Sequence, residues 1–175
     1  LGARRAEADA LALLAAVHGE RGTLYEAIAL LHDRAAPLLD ELGETGTRAT
    51  IDGELGELYF RIGTVDDAER LLRAAATAQQ RAGDVAGRAS SLEQLARLHE
   101  DRGEIDDALG MYAREVVPAR TRLGDLHGLA RARLRVGEIR AQRGDPDGAL
   151  PELEAALRIF TRIGDRRGAA ATRHW

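Results

Sequence analysis

The sequence predicts an all-α fold, a helical-repeat α-solenoid of antiparallel helix pairs, and three observations predict it. Glycines 22, 63, 103 and 144 stand 41, 40 and 41 residues apart. A second series, glycines 2, 43, 83, 124 and 164, is spaced 41, 40, 41 and 40, each of its first four members 20 residues before one of the first series. Around each first-series glycine the same residue types recur. Alanine follows by five (Ala27, Ala68, Ala108, Ala149) and a large side chain by nine (Leu31, Leu72, Tyr112, Leu153). A small residue precedes by seven (Ala15, Gly56, Ala96, Gly137) and an aliphatic by eight (Leu14, Leu55, Leu95, Val136). A fixed period of this length marks a repeat array.

The elements follow in order. Both glycine series read as helix ends, because a helix commonly closes on a residue with positive φ, which glycine adopts without strain. Between them lie helices of about 16–18 residues, and the 1–175 chain divides into repeats at 2–42, 43–82, 83–123 and 124–163 with a partial fifth at 164–175. The first repeat carries the stripes Leu11, Leu14, Val17 and Leu24, Ile28, Leu31, Ala35, Leu38. The second has Leu55, Leu58, Tyr59, then Val65, Leu71, Leu72, Ala75. The third has Leu92, Leu95, Leu98, then Ile105, Leu109, Tyr112, Val116. The fourth has Leu134, Val136, Ile139, then Leu150, Leu153, Leu157, Phe160. Asp84, Asp125, Asp165, Thr23, Thr64 and Asp145 follow turn glycines and are expected to cap the next helix. Pro37 and Pro118, each 15 residues after a turn glycine, are expected to bend or shorten their helices. Pro146 suits a first helical position, and the last long helix then either starts there with Pro151 inside it or starts nearer Ala149. The residues from Asp165 to Trp175 open a ninth helix, expected to pack on the preceding one or on a neighbouring copy.

Composition narrows the function classes. Cysteine is absent, so neither a disulfide nor a thiolate metal site can form. The net charge of −4 argues against nonspecific nucleic-acid binding. No run of about 20 apolar residues is present to span a membrane, and no signal peptide is visible; a cytoplasmic location is expected. A start at Leu1 is expected of a piece excised from a longer protein.

The small residues at fixed positions carry a family resemblance. The pairs Leu14-Ala15, Leu55-Gly56, Leu95-Ala96 and Val136-Gly137, each followed by a turn glycine, an alanine and a large residue, resemble the tetratricopeptide repeat over essentially the whole chain. The family aromatic three residues after the pair survives only as Tyr59, with His18, His99 and Arg140 in its place, and the period exceeds the common one of about 34 residues. Longer units of this kind look like those of kinesin light chain and of the sensor arms of bacterial signalling ATPases and transcription regulators. The resemblance implies a right-handed superhelix with a concave face lined by the first helices. There it places Asp9, Glu20, Glu57, Phe60, Arg61, Glu93, Arg97, Glu100, Asp101, Arg131, Leu134 and Glu138. Seven of these are acids and three are arginines, so the face is expected to favour a basic or amphipathic segment, with Phe60 and Leu134 as apolar anchors.

Other motifs have plainer readings. Arg143-Gly144-Asp145 spells an adhesion tripeptide, but Gly144 is a turn glycine. Asp66-Asp67 and Asp106-Asp107 sit where acids favour a helix dipole rather than as catalytic dyads. His18 and His99 read as stand-ins for the family aromatic, and no catalytic, cofactor or metal constellation is expected. Chaperone-tail binders of this family clamp a carboxylate with lysines and asparagines, and this chain has neither. The function expected is a non-catalytic protein or peptide interaction module, a fragment of a larger bacterial protein, with the partner able to come from the same polypeptide. The alternatives are a regulatory arm of a STAND-type ATPase or transcriptional regulator, and a structural spacer or self-association segment acting through open repeat ends. Nucleic acid and membrane are not expected as direct partners.

Overall fold

A computed structural model describes residues 2–175. Among the described residues there are nine helices and no strand. They are α1 (Gly2–Arg21), α2 (residues 24–42), α3 (Thr45–Arg61), α4 (Val65–Ala82), α5 (Val85–Asp101), α6 (residues 105–123), α7 (Leu126–Gln142), α8 (Pro146–Ile163) and α9 (Arg166–Arg173). The fold is an all-α helical-repeat solenoid.

Every turn closes in the same way. Gly22, Gly43, Gly63, Gly83, Gly103, Gly124, Gly144 and Gly164 all have φ between 65° and 84°, and no other described residue type takes a positive φ. The residue after each glycine donates its N–H five residues back, as Thr23 does to His18 at 3.0 Å and Asp165 to Phe160 at 2.9 Å. This double closure satisfies the last carbonyls of each helix.

The aspartates then start the next helix. Asp84, Asp125, Asp145 and Asp165 accept from the backbone N–H groups of Gly87, Gly128, Gly148 and Gly168 at 2.8–2.9 Å. The residue three positions on is glycine each time, and the carboxylate occupies space that a Cβ would take, 2.2 Å away at Gly87 and Gly148. Thr23 and Thr64 do not cap. Glu26 and Asp67 stand at that third position, and the threonine hydroxyls donate back to the carbonyls of His18 and Tyr59 at 3.1 and 3.0 Å. Asp125→Ala is expected to cost about 1 kcal/mol in the denaturation midpoint, the ordinary value of an N-cap, whereas Thr64→Val leaves the helix start unchanged.

Pro37 and Pro118 do not shorten their helices. In α2 a π-helical turn at Leu30–Ala35 precedes Pro37, and in α6 one at Tyr112–Val116 precedes Pro118. Ala36 and Val117 donate five residues back, to Leu31 and Tyr112. The wider turn moves the preceding carbonyls away from the proline ring, so the helix continues to Leu42 and Leu123. For α8, the helix starts at Pro146 with Pro151 exposed inside it.

Contacts divide the chain into two compact units, Leu1–Gln94 and Leu95–Trp175, with the boundary inside α5. In the first unit Leu11 and Ala15 of α1 pack with Ala27, Leu31, Ala35 and Leu39 of α2 and with Ile51, Leu55 and Leu58 of α3. In the second, Ala130 of α7, Ala156 and Phe160 of α8 and Ala169 of α9 form one cluster, joined by Leu134 and Leu157. The recurring small residues let paired helices touch backbone to backbone. A Cβ on Gly56 would lie 3.4 Å from the Ala68 carbonyl, and one on Gly137 3.4 Å from that of Ala149. The large residue nine after the turn fills the rest, as Leu72 and Leu153 would stand 2.6 Å from those Cβ positions.

Three expected core residues at the ends lie outside. Leu14 and Val17 of α1 are 45% and 48% exposed, and Leu150 of α8 is 59% exposed. In the first unit the counterparts of Leu14 and Val17, Leu55 and Leu58 of α3, share a cluster with Leu31, Ala35 and Leu39 of α2. At the far end α9 does pack on α8, burying Ala169 and Thr172, and the Trp175 indole N–H donates to Glu138 at 3.1 Å.

Candidate functional site: an acidic recess on the first helices

In the first unit α1 and α3 bring Ala15, Ala16, Gly19 and Glu20 beside Glu54, Glu57, Leu58 and Arg61, with Leu31 of α2 beneath. Together they line a recess of about 210 Å³. Glycine at position 19 leaves the backbone open, and Arg61 uses it, donating to the Gly19 carbonyl at 3.0 Å. The cation of the recess is therefore tied to the protein. Of the carboxylates, Glu57 accepts from Gln94 Nε2 at 3.1 Å. The Glu54 carboxyl is held above its ordinary value, first by the loss of surrounding water and then by the charge of Glu57. Apolar walls from Ala15, Leu31 and Leu58 adjoin these charges.

Of the residues expected on the partner face, this recess gathers Glu20, Glu57 and Arg61. Asp9 is exposed and Phe60 half-buried, both outside its lining. Glu93 is buried, so it offers little to solvent.

In the second unit the charges are already matched. Arg135 of α7 binds Glu100 and also Glu138, the latter at 2.6 Å. Burial lowers the Arg135 pKa, and Glu100 and then Glu138 overcome this and raise it. Leu134 is packed against the Ala130–Phe160 cluster and is not a free anchor. Arg97, Asp101 and Arg131 are exposed.

Glu54 and Arg135 were not among the expected face residues, and they share one repeat position with Gln94. Each stands one residue before the aliphatic-small pair. From there each faces carboxylates: Glu54 and Gln94 reach Glu57, and Arg135 reaches Glu100 and Glu138. Fixed offset from the pair was the signal that could have found them.

The remaining motifs serve the turns. His99 is buried, and its Nδ1 bonds to Glu104 across the third repeat's turn. His18 Nδ1 and Thr23 Oγ1 make the same clasp at 2.8 Å in the first repeat. Among the described residues His99, Glu104 and Asp107 are a set whose donor atoms converge within 4.8 Å and could meet an ion. The clasp recurs with a threonine in place of the carboxylate, so its shared role is to tie a helix end to the next helix start. In the adhesion-like tripeptide, Arg143 is bound to Asp106 and Asp145 caps α8.

Residues 47–116 match the family model described as tetratricopeptide repeat. No curated protein matches the sequence. Among solved structures, BtubC (BKLC) from P. vanneervenii is 21% identical with a TM-score of 0.79, over 91% of this chain and 65% of that one. Aspartyl phosphate phosphatase F from Bacillus subtilis is 12% identical with a TM-score of 0.91, over 97% and 44%. A Rap protein complexed with competence and sporulation factor is 16% identical with a TM-score of 0.77, over 94% and 46%. The chain thus spans about half to two thirds of the length of these structures. At these identities the likeness is one of fold. No described helix is long and apolar enough to cross a membrane. The chain is thus an all-α helical-repeat solenoid with eight repeated glycine turns, whose residues 47–116 match the tetratricopeptide repeat.

Proposed function

We propose that the chain is a non-catalytic protein interaction module, and that the recess between α1 and α3 receives a basic side chain of a protein or peptide partner. The observation that carries this is the crowding of Glu54 against Glu57 beside Glu20, while Arg61 is turned to the Gly19 carbonyl. A guanidinium or ammonium entering there relieves the repulsion between the two carboxylates, and its alkyl stem lies along Ala15, Leu31 and Leu58. A Rap protein of this fold has been seen with a bound factor, which supports a partner-binding role.

The test compares the wild type with the triple variant Glu20→Gln, Glu54→Gln, Glu57→Gln, using fluorescent tetra-arginine and tetra-glutamate peptides. We expect the wild type to bind only the basic peptide and the triple variant to bind it several-fold more weakly. The difference should shrink at high salt, where screening shortens the reach of exposed charges. Equal binding by both proteins at low salt overturns the reading. pH gives a second check with a definite sign. The folded Glu54 carboxyl titrates above its ordinary value, so as pH falls it loses its charge sooner than an ordinary glutamate does. Desolvation and the charge of Glu57 therefore cost stability in full above the raised pKa, and the cost shrinks as pH falls from there to the ordinary value, below which it is gone. Stabilisation by the basic peptide should therefore begin to fade, on acidification, above the ordinary glutamate range.

A further inference from the structure

We infer that the groove formed by α6, α7 and α8 is a second binding site, one that takes the phosphate group of a phosphate monoester. Arg133 of α7 and Arg158 and Arg162 of α8 line a recess of about 460 Å³, over a floor of Leu129, Ala155 and Ile159. No acid is among the lining residues, and none of them comes from α9. The whole recess lies within the second compact unit. Its sign is opposite to that of the recess between α1 and α3, so it calls for a different ligand.

The three arginines differ in how they are held. Arg133 donates through Nη1 to Glu152 at 2.6 Å, which fixes the guanidinium and leaves other donors of its planar fork for a ligand. Arg158 and Arg162 are both exposed and stand one helical turn apart on α8, where like charges repel. The tie from Arg158 to Glu154 is 3.5 Å long between two exposed side chains, and a contact of that kind is worth little. A dianion seated between the arginines removes their repulsion. Phosphate has two charges and three acceptor oxygens for three guanidinium forks, whereas a carboxylate has one charge and two oxygens. Leu129 is buried and Ala155 and Ile159 are half-buried, an apolar floor for the organic part of the ester. The fold itself does not require this charge. In the corresponding groove of the first two repeats, Asp40, Asp52 and Thr77 stand where Thr121, Arg133 and Arg158 stand here. There Arg48 pairs with both Asp40 and Asp52, and the groove neutralises itself.

Calorimetric titration of the intact chain tests this, with phenyl phosphate, an otherwise neutral peptide carrying one phosphoserine, and acetate as probes. The wild type is expected to bind a phosphate probe saturably and acetate not at all. Arg158→Gln with Arg162→Gln should weaken phosphate binding at least several-fold. Arg70→Gln with Arg73→Gln, which removes two exposed arginines from α4, should leave it unchanged. All four side chains are exposed, so circular dichroism and melting of both variants should match the wild type. Tighter binding of the peptide assigns the phosphate to a partner protein, and tighter binding of phenyl phosphate assigns it to a small molecule; either result upholds the site. Absence of saturable binding by both phosphates overturns the inference. So does acetate binding as tight as that of the phosphates, and so does an equal loss in the two double variants, which would mean that the chain's overall arginine content attracts the anion.

Discussion

Replacing Phe160 by alanine is expected to cost about 3–5 kcal/mol, the range for removing a buried aromatic ring. Phe160 is fully buried, and the other buried members of its cluster are small, Ala130, Ala156 and Ala169, with Leu134, Leu157 and Ile159 partly buried against them. Alanines at those places cannot collapse into the space that the ring leaves, so the cavity persists. The ring also meets His127 edge-on, with centroids 6.3 Å apart. Gly168 of α9 approaches it so closely that a Cβ there would lie 2.5 Å from the ring. Loss of the ring therefore loosens α9 as well as α8. In a repeat array each pair contacts its neighbours only, so the damage should be local. Hydrogen exchange is the decisive measurement. Protection should fall across α7, α8 and α9 and stay unchanged across α1 to α3. A uniform loss of protection would mean that the chain unfolds as one cooperative unit.

The second large effect is at Ala108. Substitution by phenylalanine should overpack the third helix pair and lower stability by about 1–3 kcal/mol or more. Ala108 is fully buried, as are Ala27, Ala68 and Ala149 at the same place in the other repeats. In the second and fourth pairs this alanine's carbonyl lies against the small residue of the facing helix, which shows how little room the position has. No rotamer of a phenylalanine ring fits between two backbones at that distance without moving a helix. A melting midpoint equal to the wild type's for Ala108→Phe would contradict the packing described.

The acidic recess shows how far a residue pattern reaches toward a site. The family pattern named Glu20, Glu57 and Arg61, which do meet in one recess. It also named Glu93, Glu100 and Glu138, and a formal count treated each as one free charge. Glu93 is buried, while Glu100 and Glu138 face Arg135. A count of charges along helices cannot separate these cases. Pairing depends on which side chains of neighbouring helices point at one another, and Arg135 reaches Glu100 across 35 positions of chain.

The sequence by itself determined the helices, their ends and their pairing. Turn glycines need positive φ, buried alanines need close backbones, and these needs are local, so they recur in each repeat and can be read from spacing alone. The DxxG starts at Asp84, Asp125, Asp145 and Asp165 were equally local, and two letters three residues apart encode them. Tertiary structure decided the rest. Leu14, Val17 and Leu150 fit the apolar pattern as well as their counterparts do, yet they are exposed. Burial of such a residue is conferred by the neighbouring pair, not by its own helix. The prolines at 37 and 118 were legible as disturbances, but not the π turns that absorb them. Those turns keep Leu31, Ala35, Tyr112 and Val116 in the core, and that benefit exists only once the helices have packed.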